Sequence, residues 1–206
     1  KKFKFKVIED ASHSLGGKRN GEPVGSCRWS HVTVFSFHPV KIITTAEGGM
    51  ALTNNYDLYK KMNIYRNHGI TKDFGQMIRK IKSHWYYEQQ LLGYNYWITD
   101  IQAALGLSQL KNLGKFVKKR NKIAKFYNEK LTNLPLEKPI IQKGNFSSYH
   151  LYVVKLKLNK INKTYDNIFK ELRNNGIGIN LHYLPVHLQP YYQKFGFKKG
   201  NFPVAE

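Results

Sequence analysis

Polar and apolar residues alternate most clearly along His31–Phe37, and this alternation predicts a β-strand. The segment reads HVTVFSF and is rich in β-branched and aromatic residues, which favour strands. A shorter apolar run, Phe5–Ile8, leads into the carboxylates of Glu9 and Asp10, and a third run, MALTN, follows a glycine pair. Because open α/β sheets bind their ligands beyond the ends of their strands, these carboxylates mark a candidate site.

Helical spacing of apolar residues predicts two long helices in the middle of the chain. The first covers Asp57–His68 and stops at Gly69, a natural C-terminal cap. The second begins at Thr99, because the sequence TDIQ matches a capping box, and we expect it to reach Leu131 with a bend at Gly114. The stretch between the two helices has no clear period and is predicted to be an extended loop.

The C-terminal part of the chain is predicted to form a second, smaller β-α-β domain. The pattern indicates a strand over Tyr149–Leu158, a helix over Tyr165–Asn175 and a strand over Ile177–Leu181. This order of strands and helices places the chain in the α/β class.

Composition narrows the class of protein further. With 206 residues, 41% of them hydrophobic, the chain can bury a sizeable core. No apolar run is long enough to cross a bilayer, so we predict no membrane partner. The single cysteine, Cys27, can form no internal disulfide and has no CxxC partner for zinc, which favours a reducing, cytoplasmic setting.

The net charge of +21 raises the alternative of a basic nucleic-acid-binding module. The excess is mostly lysine, scattered singly or in short pairs, and the chain lacks the arginine clusters and aromatic motifs that read bases. We therefore expect a solvated basic surface and no nucleic-acid partner. The positive field would still favour phosphate groups on a cofactor or a sugar nucleotide.

One lysine is the main candidate for a catalytic residue, because the motifs of other catalytic and binding sites are missing. The histidines show no HExxH or paired-cysteine spacing, so we predict no metal site. The chain also lacks a GxSxG elbow, a GxGxxG turn and a Walker loop. Lys41 differs from the other lysines because it lies between the alternating strand and the turn TTAEGG, whose glycine pair lets the backbone approach a ligand closely.

A lysine in this setting can act as a nucleophile towards carbonyl groups, including that of pyridoxal phosphate (PLP). PLP also needs a carboxylate that keeps its pyridine nitrogen protonated, so that the ring acts as an electron sink. Asp10, at the end of the preceding strand, can fill that role. These residues alone leave a plainer alternative open, in which Lys41 is one more surface lysine and Asp10 a turn residue.

Six motifs spread along the chain resemble one family. VIEDASHSLGG, VFSFHPVKIITTAEGGM, RNHG, LGYNYWITDIQAALGLSQL, HYLPVHLQPYYQKFGF and NFPVAE occur in the order found in the DegT/DnrJ/EryC1/StrS family of sugar aminotransferases, and they cover nearly the whole chain. Within that family, TTAEGG and the region from HWYYE to GLSQL look most like the transaminases of pseudaminic acid biosynthesis. One departure is Trp97, which stands where the family commonly has Arg.

The resemblance implies a PLP-dependent transferase of fold type I, like aspartate aminotransferase, that works as a homodimer with shared active sites. Residues 1–118 would be the C-terminal part of the large PLP-binding domain with the start of the connecting helix, and residues 119–206 the smaller C-terminal domain. The family's N-terminal portion and its last helices have no counterpart in this sequence. We therefore expect a fragment of such an enzyme, and an inactive truncated remnant is the alternative.

The reaction that the resemblance implies is transamination, because family members that dehydrate sugars carry His at the position of Lys41. An amino group would pass from L-glutamate to the C4 ketone of a UDP-linked 4-keto-6-deoxy amino sugar. Lys41 would link to the cofactor and move the proton between substrate and cofactor, and Asp10 would pair with the pyridine nitrogen.

Further roles carried over from the family concern the rest of the cofactor and the substrate. His13 matches the position beside the cofactor ring, and Ser36 matches a phosphate ligand. Asn95 matches a residue that reaches the phosphate of the neighbouring subunit's cofactor. His38 and His182 match substrate contacts, for which ordinary core histidines are the alternative.

Overall fold

The computed structural model describes residues 3–79, 81 and 83–206. In chain order its strands are β1 (Ile8–Asp10), β2 (Lys18–Arg19), β3 (Glu22–Pro23), β4 (Val32–Ser36), β5 (Gly49–Leu52), β6 (Ile70–Thr71), β7 (Glu88–Gln89), β8 (Leu136–Glu137), β9 (Asn145–Phe146) and β10 (Lys155–Leu156). Its α-helices are α1 (Tyr56–Arg66), α2 (Asp100–Leu110), α3 (Leu113–Lys130), α4 (Tyr165–Asn174) and α5 (Pro190–Gln193), with short 3-10 helices at Leu158–Lys160 and Val186–Leu188.

The described chain divides into two compact units. The first comprises the residues up to Lys130 together with Ile140–Tyr152, and the second comprises Leu131–Pro139 together with Val153–Glu206. The helix α3 lies within the first unit. The domain boundary predicted between residues 118 and 119 falls inside this helix and stays a prediction.

β4 is the central strand of a three-stranded sheet in the first unit. β1 pairs with β4 in parallel, with Asp10 opposite Val34, and β5 pairs with it antiparallel, with Ser36 opposite Gly49. The strand predicted over His31–Phe37 is therefore confirmed. The sheet brings the ends of β1 and β4, and the turn after β4, to one edge.

The core of the first unit lies against this sheet. Phe35 and Phe37 are buried together with Ala11 and Ile43, which fits the alternation of β4. The strand predicted over Phe5–Ile8 is wrong in its bounds, because this run lies largely ahead of β1, and its one aromatic side chain, Phe5, is exposed.

Capping side chains set the starts of both predicted helices. Asn55 Oδ1 accepts a hydrogen bond from the Leu58 amide at 2.9 Å, so α1 begins just before the predicted Asp57–His68. Thr99 Oγ1 accepts from the Gln102 amide at 3.3 Å, and Gln102 Oε1 accepts from the Thr99 amide at 3.0 Å. The predicted capping box is thus confirmed.

The single bent helix predicted from Thr99 to Leu131 is wrong, because the structure forms two helices. The Asn112 amide donates to the Gln109 carbonyl at 2.9 Å and closes a turn after α2. The Asn112 carbonyl then accepts from the Phe116 amide at 3.0 Å as α3 starts. The break therefore precedes Gly114, where the bend was expected.

The second unit departs from the predicted β-α-β order. Its strands β8 and β10 pair antiparallel, and α4 begins after Thr164, whose hydroxyl accepts from the Asn167 amide at 3.2 Å. The strand predicted over Ile177–Leu181 is wrong. Two of its amides make local bonds, from Ile179 to the Ile177 carbonyl and from Leu181 to the Asn180 side chain, and such bonds compete with a strand ladder.

The strand predicted over Tyr149–Leu158 is also shorter than expected. Only its last part pairs, as β10. Arg120 Nη1 donates to the carbonyls of both Tyr149 and His150 at 3.1 Å, and Ser147 Oγ accepts from the Tyr149 amide at 3.0 Å. Tyr149 has φ of 47°, outside the extended region, and these side-chain bonds hold the first part of the segment against α3 without a partner strand.

Across residues 3–79, 81 and 83–206, no helix combines the length and the apolar composition that crossing a membrane requires. Over the same residues, no group of three or more His, Cys, Asp or Glu side chains could hold a metal ion together.

Candidate active site

The turn between β4 and β5 closes on the backbone of one buried residue. The Phe37 amide donates to the Gly48 carbonyl at 2.8 Å. The Phe37 carbonyl accepts from the Thr45 amide and from the Thr44 hydroxyl, each at 3.0 Å. Because Phe37 also packs in the core, the turn has a fixed base.

Lys41 lies at the tip of this turn. Its amide donates to the His38 carbonyl at 3.0 Å, and the two residues after it, Ile42 and Ile43, are buried. Lys41 itself is half-buried. The side chain is therefore presented from a backbone that is anchored on both sides.

The glycine pair of TTAEGG is required by close contacts. Gly48 has φ of 156°, and a Cβ at this position would meet the hydroxyl of Thr45. A Cβ on Gly49 would lie 2.8 Å from the Phe35 carbonyl oxygen. Larger residues would displace the return strand β5 and open the turn.

Asp10 ends β1 as an exposed carboxylate. Its Oδ1 accepts hydrogen bonds from the Ser12 hydroxyl at 2.5 Å and from the Ser12 amide at 3.1 Å. These bonds lower the pKa of Asp10, and the charges of His13 and Lys41 lower that pKa further. Asp10 is thus held ionised within electrostatic reach of Lys41.

His13 packs against a second histidine that the sequence analysis did not single out. The ring centroids of His13 and His150 are 4.4 Å apart with planes inclined by 60°. Ser148, which is almost fully buried, donates from its hydroxyl to the His13 carbonyl at 3.5 Å. No local motif marks His150, because its contact with His13 joins distant parts of the chain.

Ser36 and His38 flank the base of the Lys41 turn. Ser36 is half-buried at the end of β4, and its hydroxyl accepts from the His38 amide at 3.4 Å. The exposed His38 ring places Nε2 3.8 Å from a carboxylate oxygen of Glu47, across the same turn. Gln102 Nε2 also donates to the Glu47 carbonyl at 3.0 Å, which ties the start of α2 to this turn.

Asn95 lies in a short extended segment beside the end of α1. It forms an isolated antiparallel bridge with Asn67, and the amides of Tyr94 and Tyr96 on either side of it donate to carbonyls of α1 at 2.7 and 3.0 Å. Asn95 is exposed. His182, the other predicted substrate contact, belongs to the second unit, where its Nδ1 atom is buried.

The structure therefore brings His13 and Lys41 into electrostatic reach of Asp10 and places Ser36 and His38 at the base of the turn that carries Lys41. A primary amine, an ionised carboxylate and a hydroxyl are the donor set that PLP requires for attachment, for its ring nitrogen and for its phosphate. The residues fit the cofactor. The individual roles stay predictions.

Comparison with known proteins identifies the family. The sequence pattern described as the DegT/DnrJ/EryC1/StrS aminotransferase family matches residues 1–206. The chain belongs to this family. The resemblance found in the sequence motifs is thereby confirmed.

Curated relatives within the family extend well beyond this chain. An uncharacterized protein of Methanocaldococcus jannaschii, MJ1066, is 42% identical over 97% of this chain and 52% of its own length. A UDP-4-amino-4,6-dideoxy-N-acetyl-β-L-altrosamine transaminase of Campylobacter jejuni is 37% identical over 94% of this chain and 49% of its own length. The chain thus spans about half the length of the curated relatives it matches.

A solved structure supports the fold and the cofactor class. The PLP form of Spr1654 from Streptococcus pneumoniae superposes with a TM-score of 0.83 at 30% identity, over 97% of this chain and 49% of that protein. Its PMP form gives the same TM-score. The predicted α/β fold of PLP-dependent sugar aminotransferases is confirmed.

Proposed function

We propose that this chain forms the lysine-bearing part of a PLP-dependent sugar-nucleotide transaminase. The observation that carries the proposal is the Lys41 turn, closed on the buried Phe37, with the ionised Asp10 in electrostatic reach. A surface lysine of no function would not require a turn with this many fixed contacts.

The proposal assigns each residue of the site a task. Lys41 Nζ attaches the cofactor and, when released, carries a proton to and from the reacting carbon. Asp10, kept ionised by Ser12, accepts a hydrogen bond from the protonated ring nitrogen. PLP bound in this way supplies an electron sink for the negative charge that develops during proton transfer.

Three further residues position the cofactor. Ser36 donates its hydroxyl to the phosphate, and His13 lies beside the ring with its own orientation limited by His150. Asn95, exposed beside α1, reaches the cofactor phosphate of a second copy in a homodimer. His38 and His182 contact the substrate.

The substrate proposed is a UDP-linked 4-keto-6-deoxy amino sugar of the pseudaminic acid type, with L-glutamate as the amino donor. The name of the Campylobacter jejuni relative supports this class, because the compound in that name is a UDP-linked 4,6-dideoxy sugar with an amino group at C4. A cytoplasmic reaction is part of the proposal, in keeping with the single cysteine.

The test is covalent labelling of the 206-residue chain. PLP is added, the product is reduced with borohydride, and peptides are mapped for the reduced adduct. We expect a visible absorption band and an adduct on Lys41. The variant Lys41→Arg should lose both, whereas Lys61→Arg, a change of the same kind on the exposed face of α1, should retain them.

Labelling spread over many lysines, with no preference for Lys41, would contradict the proposal for this chain. Labelling that appears only after an N-terminal half from a relative is supplied would favour an incomplete site. Failure in that case as well would favour the inactive remnant.

A further inference from the structure

A cavity separate from the Lys41 turn opens beside the last turns of α1. Its volume is about 340 Å³, which falls in the range of small-ligand sites, roughly 300–1,000 Å³. Its lining includes the cations Lys60, Arg66 and Lys72 and the rings of Tyr59 and Trp97. None of the residues assigned above to PLP or to substrate lines this cavity.

The guanidinium of Arg66 is held in place by stacking. Its Cζ lies 4.5 Å from the centroid of the Trp97 ring. The indole is fixed in turn, because its Nε1 donates to Asn67 Oδ1 at 3.1 Å. Stacking occupies the face of a guanidinium and leaves the N–H donors in its plane available for a bidentate contact.

The charges around the cavity are not balanced. Lys60 forms an ion pair with Asp57 at 3.1 Å and lies over the ring of Tyr56. Its ammonium group therefore already has an acidic and an aromatic partner. Within residues 3–79, 81 and 83–206, no ion pair includes Arg66 or Lys72. Two cations that form no ion pair among these residues therefore line one concave surface.

One carboxylate, Asp73, belongs to the lining, and its oxygens are already engaged. Oδ2 accepts from Gln76 Nε2 at 2.5 Å, and Oδ1 accepts from the Gly75 amide at 2.9 Å. These bonds lower the pKa of Asp73, so its negative charge offsets part of the positive charge of the lining. Among the described residues Asp73 forms no ion pair with Arg66 or Lys72, so both cations remain available to an anionic ligand.

We propose that this cavity binds the diphosphate group of a sugar nucleotide, with Arg66 as the bidentate contact and Lys72 as the second cation. The inference rests on the proposed function, which supplies the sugar nucleotide as substrate class. Two adjacent phosphates can pair with two cations that line the same cavity, and a guanidinium fork matches the geometry of phosphate oxygens. The two carboxylates of the amino donor share this anionic chemistry and form the competing source.

The first experiment measures binding of inorganic diphosphate and of UDP to the 206-residue chain by calorimetry, without PLP and at low salt. We expect Arg66→Gln to weaken both ligands by at least about tenfold, since hydrogen bonds to charged groups are worth more than neutral ones. Lys61→Gln removes the same charge from the same helix but outside the cavity, and should change affinity by less than about twofold.

Two further variants test the geometry rather than the charge. Arg66→Lys keeps the cation but loses the planar fork, and Trp97→Leu keeps Arg66 but removes the ring that orders it. We expect each to weaken UDP binding about three- to tenfold. Circular dichroism and thermal melts of all variants verify that the helix α1 remains folded.

Equal losses for Arg66→Gln and Lys61→Gln, or full affinity in Arg66→Lys, would overturn the inference in favour of a general positive field. Tighter binding of L-glutamate than of diphosphate, abolished in Arg66→Gln, would overturn it in favour of a donor site. Borohydride labelling of Lys41 in the same proteins separates the two proposals. Labelling of Lys41 without diphosphate binding would contradict only the proposed diphosphate site. Diphosphate binding without labelling would contradict only the proposed role of Lys41.

Discussion

Asp10 in the first unit and Glu206 in the second unit each have a histidine nearby, His13 and His187. The two carboxylates differ in how exposed they are and in how many hydrogen bonds they accept. Asp10 ends β1 with its side chain exposed, and among the described residues its carboxylate is hydrogen-bonded only to Ser12. The Glu206 side chain in the second unit is only 12% exposed, and Oε1 lies 2.7 Å from His187 Nε2. The same pairing of residue types therefore occurs once at an open strand end and once inside a packed cluster.

Asp10 and Glu206 differ in how many of their carboxylate oxygens can still accept a hydrogen bond. Glu206 accepts from the Gly200 amide at 2.7 and 2.8 Å and from the Phe202 amide at 3.3 Å, in addition to the His187 ring. Asp10 keeps Oδ2 without a hydrogen bond among the described residues. A saturated carboxylate holds a loop together, whereas an ionised carboxylate with a remaining acceptor can take a ligand.

The two regions also differ in what supports them. Next to Asp10 and Lys41, the core cluster contains Ala11, Phe35 and Ile43. Of the described residues in the second unit, only His187 is buried. Its ring packs edge-on against that of Phe202, with the ring centroids 4.8 Å apart. Among the described residues, buried apolar side chains are thus found in the first unit and not in the second.

The largest effect is expected from removing the core beneath the open carboxylate. Phe35→Ala should lower the free energy of unfolding by about 3–5 kcal/mol, the range for deleting a buried aromatic side chain, because Phe35 is 5% exposed. Urea unfolding followed by circular dichroism measures the change. Phe5→Ala, at a ring that is 67% exposed, is the matched control, and an equal loss there would show that the core does not lie where the sheet places it.

A smaller, local effect is expected from the saturated carboxylate. Glu206→Gln keeps the shape but removes the charge that the Gly200 and Phe202 amides and His187 share. Hydrogen exchange at those two amides should become faster, while exchange in β4 stays unchanged. Glu137→Gln, an exposed position in the same unit, should leave all of these rates unaltered, and faster exchange throughout the chain would contradict a local role.

Lowering the pH should have the same local effect as Glu206→Gln, because it protonates the Glu206 carboxylate. Amide bonds from Gly200 and the bond from His187 lower the pKa of Glu206 below its ordinary value of 4.5. The stabilisation is therefore present above pH 4.5 and is lost as the pH falls through the lower folded value. Hydrogen exchange at Gly200 and Phe202, corrected for its intrinsic pH dependence, should show a difference between wild type and Glu206→Gln at pH 6 that vanishes in strong acid.

The parts that the sequence predicted correctly depend on local rules. The alternation of β4 and the capping box at Thr99 each involve contacts within a few residues, so their patterns are visible in the sequence. The Lys41 turn is similar, because its glycine pair and its threonines bond within the same turn. The position of Asp10 at a strand end marked it as a candidate, and the family resemblance added His13. No local pattern joins either residue to Lys41.

The parts that failed depend on competition between distant and local partners. Arg120 takes the carbonyls of Tyr149 and His150, so the apolar run there pairs only at its end. Leu181 and Ile179 use their amides locally, and the expected strand is lost. The contact of His150 with His13 could not be predicted for the same reason, since it requires the segment that Arg120 positions.

The smallest effect on unfolding is expected at the open carboxylate, although its effect on the cofactor should be clear. Asp10→Asn keeps an oxygen that can accept from Ser12 and removes only an exposed charge, so the urea midpoint should remain that of the wild type. PLP affinity should fall about tenfold or more, because a charge-assisted hydrogen bond to the protonated ring nitrogen becomes a neutral one. Titration of the visible absorption band measures this affinity.

Ser12→Ala provides the matched control for Asp10→Asn. It removes the hydroxyl bond to Oδ1 but leaves the carboxylate charged, so PLP should bind more tightly than in Asp10→Asn. If both variants bind PLP as well as the wild type, the remaining acceptor of Asp10 does not serve the cofactor, and the contrast with Glu206 is one of exposure alone. If Asp10→Asn unfolds more readily than Glu206→Gln, the open carboxylate is the structural one and the comparison is reversed.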